Sequence, residues 1–170
     1  MGHSVVVLDW NVDDELDIAA GAPGEDRTIL VGSPRKDVPP VIDAGMGFVF
    51  RPDETVRNYS PRPVENGILG YRARLVDLIG DQTPDVAFMS LPVGTYLWDG
   101  ARPDSDPVFF RRPPGAASHW CTGAAAAQLY PGGKEELVLG GPRWSPPGKP
   151  KSWNSGRLLV LSMDADRVRR

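Results

Sequence analysis

Cysteine is nearly absent from this chain: Cys121 is the one thiol in 170 residues. No intrachain disulfide can form, so disulfide chemistry names no compartment. Long apolar runs are missing too, and none approaches the ~18 residues that a bilayer-spanning helix requires. An excess of basic charge is missing: 19 Lys and Arg against 22 Asp and Glu give a formal net charge of −3, and no basic face emerges beyond Arg167-Val168-Arg169-Arg170. That end reads as a solvated tail, and no electrostatic case for nucleic acid arises. Met1-Gly2-His3-Ser4 runs directly into strand-like Val5-Val6-Val7-Leu8. The expectation is that no signal peptide fits here, and that if the parent protein is secreted this chain is a mature piece or a fragment of it.

Turn formers are abundant instead, with 19 glycines and 18 prolines. Many turns and short segments are therefore expected, and long helices are not. A hydrophobic content of 41% over this length suffices for one globular domain spanning 1–170. The apolar segments are four to six residues long, rich in Val, Leu, Ile and Phe, and bounded by Gly, Pro or Asp. They read as strands. The run from Ala124 to Leu129 has helix-favouring alanines, but its place before a loop matches Val5–Leu8, so it also reads as a strand. Pro-rich stretches at 34–40, 61–63 and 142–150 are surface connections that cannot join a ladder.

The most informative segment is the acidic loop Asp9-Trp10-Asn11-Val12-Asp13-Asp14-Glu15-Leu16-Asp17. Asp9, Asn11, Asp13 and Asp17 place side-chain oxygens at loop positions 1, 3, 5 and 9, and Glu15 can offer its carbonyl from position 7. A hard cation such as Ca²⁺ seeks six to eight such oxygens. Carboxylates this close repel one another unless a cation sits among them. An EF-hand loop is excluded, because Asp14 stands where its turn needs Gly and Ala20 where it needs a bidentate Glu. The bland alternative is a solvated acidic turn that binds nothing.

This arrangement recurs. Asp77, Asp81 and Asp85 repeat the skeleton, with Ile79 at position 3; a third copy runs from Gln128 to Glu136. The loops start at 9, 77 and 128, spacings of 68 and 51 residues that suit four-stranded propeller blades with insertions. The second loop is a weaker ligand set, either a low-affinity site or a vestigial turn. The third, left with Glu136 alone, reads as a metal-free turn given backbone freedom by Gly132 and Gly133.

Asp-x-Asn-x-Asp-x-x-x-Asp, an apolar strand, Gly21-Ala22-Pro23, and then Gly45-Met46-Gly47-Phe48-Val49-Phe50 resemble the FG-GAP repeat of integrin alpha propellers. Ser90-Leu91-Pro92 and Gly140-Gly141-Pro142 stand at the Gly-Ala-Pro place in the later copies. The resemblance implies an all-β fold of about three four-stranded antiparallel propeller blades, with repeats at roughly 4–60, 70–112 and 120–163. Closed propellers usually need four to eight blades. The expectation is therefore a partial ring, completed by further blades of a longer chain or by a self-associated copy. It further implies an extracellular or cell-surface, non-enzymatic, calcium-stabilised adhesion module that meets a protein or glycan. The propeller portion of an extracellular hydrolase and a purely structural scaffold are the rival readings.

Other constellations say less. His119-Trp120-Cys121 pairs an imidazole with a thiol, but a packing cysteine beside a surface histidine is the simpler reading. Asp104 and Asp106 solvate a Pro-rich loop. Trp144 and Trp153 flank a long loop where exposed rings could stack on a ligand, although packing is the plainer role for the tryptophans. Asn58-Tyr59-Ser60 fits a glycosylation acceptor and is discounted because Pro61 follows.

Overall fold

The computed structural model describes residues 5–8, 17–21, 29–50, 55–61, 63–114, 120–146, 155–164 and 167–169. All regular structure among them is strand, with no helix, so the all-β expectation holds. The first sheet comprises β1 (Val5–Leu8), β2 (Asp17–Gly21), β3 (Ile29–Ser33), β4 (Met46–Phe50) and β5 (Val56–Tyr59). The second holds β6 (Leu69–Val76), β7 (Asp85–Ser90), β8 (Gly94–Trp98) and β9 (Val108–Arg111). The third holds β10 (Gly123–Ala127), β11 (Glu136–Gly141), β12 (Arg157–Asp164) and β13 (Arg167–Arg169). Each is an antiparallel meander in chain order, the arrangement that local turns favour over crossovers.

The chain divides into two compact units, Met1–Ala73 and Arg74–Arg170, with the boundary inside β6. In the first unit Leu30 faces Val49 across the β3–β4 ladder, and the two are 5% and 2% exposed. Alongside, the amides of Asn66, Ile68 and Leu69 donate to the carbonyls of Ile42, Asp43 and Ala44 at 3.0 Å each. Gly45, at φ 77°, makes this approach possible: a Cβ there would run into the backbone of Leu69.

In the second unit β7 is buried along its whole length, on both faces of the sheet. That explains its unbroken Val-Ala-Phe-Met run, since a strand covered on both sides has no polar alternation. Phe88 meets Trp98 edge-on at 6.1 Å, and Tyr96 lies against Phe109 at 4.6 Å. In the third sheet Leu137 pairs with Leu161, and Leu137, Leu139 and Leu161 are at most 1% exposed. Burying each such side chain stabilises by roughly 1.5–3 kcal/mol. The alanines choose strand over helix because each finds a ladder partner, Ala124 with Leu139 and Ala126 with Leu137. Tertiary pairing overrides their intrinsic preference.

Two expectations are corrected. The first sheet has five strands where four are expected, because β1 to β5 all pair in one meander. Arg167–Arg169 is not a solvated tail but β13, in register with β12 through Ser162↔Arg169, Met163↔Val168 and Asp164↔Arg167. Composition alone does not show that its backbone has a ladder to complete. Among the described residues no helix is long and apolar enough to cross a membrane.

Candidate functional site

The three acidic loops share one structural address: each leads into the second strand of its sheet. Asp17 opens β2, Asp85 opens β7 and Glu136 opens β11. Leu8 and Asp17 face one another across the β1–β2 ladder, so residues 9–16 connect the two arms of a hairpin. The candidate ligands Asp9, Asn11, Asp13 and Glu15 lie outside the described residues, and of Asp17 only the backbone is described.

The second loop is described in full. Asp77 Oδ1 accepts the amides of Gly80 and Asp81 at 2.8 and 3.1 Å, and Asp77 Oδ2 accepts that of Gln82 at 3.1 Å. Asp81 Oδ1 accepts the Thr83 amide at 2.9 Å. Asp85 Oδ2 accepts the amides of Leu78 and Ile79, and Asp85 Oδ1 accepts that of Gly100, all at 3.0 Å. Asp77, Asp81 and Asp85 thus each bind the loop's own backbone. A turn has many unpaired amides and a carboxylate has several lone pairs, so the loop closes on its acids. Among the described residues no three His, Cys, Asp or Glu side chains gather as a metal-holding group.

The third loop follows the same plan with fewer bonds. Glu136 Oε2 accepts the Leu129 amide at 2.7 Å, seven residues back, as Asp85 accepts Leu78 seven residues back. Asp85 and Glu136 are both 0% exposed. Glu136 Oε1 is buried and finds no partner among the described residues. Gly132 and Gly133 take φ values of 143° and 76°, the freedom that the sequence assigns to them.

Burial pushes the carboxyl of Asp85 from its ordinary 3.8 up to about 6. The amides of Gly100, Ile79 and Leu78 pull the other way, and the nearby Asp81 charge adds to the rise. Asp99 behaves differently. Burial raises it, but the Arg102 guanidinium at 2.8 Å and the amides of Arg102 and Ala101 outweigh that and hold it below its ordinary value.

The sequence does not mark Gly100 as a member of these loops, nor Glu135 of the third loop as a partner of the second. Gly100 approaches so closely that a Cβ would strike the Pro84 carbonyl, leaving its amide free to reach Asp85. Glu135 reaches the neighbouring loop, where its Oε2 accepts the Asp77 amide at 3.0 Å. Backbone donors leave no signature in a sequence, and this last contact spans 58 residues.

Of the other constellations, Cys121 is 0% exposed with Sγ 4.0 Å from the Ser90 carbonyl, a packed thiol. His119 and Trp153 lie outside the described residues. Trp144 is engaged rather than free: its Nε1 donates to Pro114 at 3.2 Å and the Arg157 guanidinium sits 5.1 Å over its ring. Trp98 and Trp120 are core residues, 6% and 3% exposed. Neither the protein-family models nor the curated proteins compared with this chain gave a match.

Proposed function

We propose that this chain is a calcium-stabilised, non-enzymatic binding module whose three sheets are blades of a β-propeller of the FG-GAP type. The observation that carries the reading is the repeated address of the acidic loops. In two sheets a buried acid opens the second strand and holds the amide seven residues back, and Asp17 opens the second strand of the remaining sheet. In this reading Asp9, Asn11, Asp13 and Asp17 hold Ca²⁺ with the Glu15 carbonyl. The ion neutralises their mutual repulsion and fixes the β1–β2 bend. The Asp77, Asp81 and Asp85 loop closes on its own amides, so it holds its shape as a turn and has at most a weak secondary affinity.

The ion's role is structural, and recognition of a protein or glycan falls to loops at one end of the blades, outside the cell. Arrays of glycans and of extracellular matrix proteins, probed with the purified chain in calcium and in chelator, test this. Binding to a defined class that is lost in chelator supports the reading. An absence of binding to either array in calcium contradicts it.

A further inference from the structure

Two consecutive glutamates at the entry to β11 serve two different loops. In extended chain, successive side chains point to opposite sides. Glu136 turns toward its own loop and accepts the Leu129 amide, while Glu135 turns toward the loop of the preceding sheet and accepts the Asp77 amide. The Glu135 amide in turn donates to the Asp77 carbonyl at 2.9 Å, so Asp77 and Glu135 are joined twice. Next to this pair, the Lys134 side chain lies over Gly80, where a Cβ would come within 2.9 Å of it, and the Lys134 ammonium donates to the Met163 carbonyl of β12. Asp77 is the residue whose carboxylate gathers the amides of Gly80, Asp81 and Gln82.

We infer that Glu135 is a latch that makes the order of the 77–85 loop depend on the order of the 128–136 loop. The sequence offers this acceptor at one of the three matching positions. The matching position, immediately before the acid that opens the second strand, is Leu16 in the first loop and Pro84 in the second. Neither side chain can accept a hydrogen bond, and proline has no amide to donate. By linkage the coupling is reciprocal: whatever orders or loosens one loop acts on the other by the same factor. The inference does not rest on calcium or on the propeller reading, since every bond in it is protein to protein.

Residue-resolved hydrogen exchange on the full chain tests it. In the wild type under increasing urea, the amides of residues 77–82 and 129–135 should follow one common opening transition. Glu135→Ala should speed exchange at Asp77, Gly80, Asp81 and Gln82 by roughly five- to tenfold, the loss of about one hydrogen bond, relative to β7 amides as internal reference. Glu135→Gln keeps an acceptor oxygen and should exchange like wild type. Separate opening transitions for the two loops in the wild type overturn the inference, and this readout needs no variant to fold. Unchanged loop exchange in Glu135→Ala overturns it as well, as does equal acceleration in Glu135→Ala and Glu135→Gln.

Discussion

Single carboxyl groups set the energetics of the described loops. Asp85 is fully buried, with a folded value near 6 against an ordinary 3.8. The folded state therefore binds this proton more tightly than the unfolded chain does. The stabilisation from this group is complete below the unfolded value and is lost as pH rises through the folded one. At ~1.4 kcal/mol per pKa unit the window is worth about 2–3 kcal/mol. Urea denaturation of wild type and Asp85→Asn at several pH values should show the wild-type advantage shrinking by that amount from pH ~4 to ~7; a constant or growing gap contradicts it. Glu136 makes a different case: one oxygen is held by the Leu129 amide and the other is buried without a partner among the described residues. Glu136→Ala removes the acceptor of the Leu129 amide and should cost about 1–3 kcal/mol in urea denaturation, whereas an unchanged midpoint would contradict that role.

Strands differ in how plainly the sequence announces them. The inner strands β7 and β11 carry apolar runs: β7 is buried on both faces, while β11 buries Leu137, Leu139 and Gly141 on one face and half-buries Val138 and Gly140 on the other. The outer strands β5 and β9 mix charge with apolar residues, Val56-Arg57-Asn58-Tyr59 and Val108-Phe109-Phe110-Arg111, and were not legible as strands. An outer strand has one ladder and one solvated edge, so its composition is only weakly constrained. β13 is the extreme case, strand by pairing alone. In the loops the acids at 77, 81 and 85 were legible, but the amides they bind were not, because every residue except proline carries the same donor. At this scale the inner strands should dominate stability. Phe88→Ala, at a 0% exposed position on β7, should cost about 3–5 kcal/mol in urea denaturation. Leu158→Ala on β12, at a 72% exposed position, should stay within about 0.5 kcal/mol of wild type. Comparable losses for the two would contradict the described burial.

At the largest scale, the described residues form three antiparallel sheets, each with its strands in chain order and with unpaired outer strands among those residues. Exposed edges favour association. If the sheets are propeller blades, light scattering should find a discrete assembly larger than one chain, and a compact monomer would instead favour a self-sufficient scaffold. Stability of the assembly on this account depends on an ion at the first loop. The most direct test is thermal unfolding of the wild type and Asp13→Ala in calcium and in chelator. With ~10 mM calcium and dissociation constants of ~10⁻⁴ to 10⁻³ M, binding should add about 1.4–2.7 kcal/mol, raising the wild-type melting temperature by roughly 3–10 °C. Asp13→Ala should melt alike in both conditions. Superimposable wild-type melts with calcium and with chelator would contradict the account.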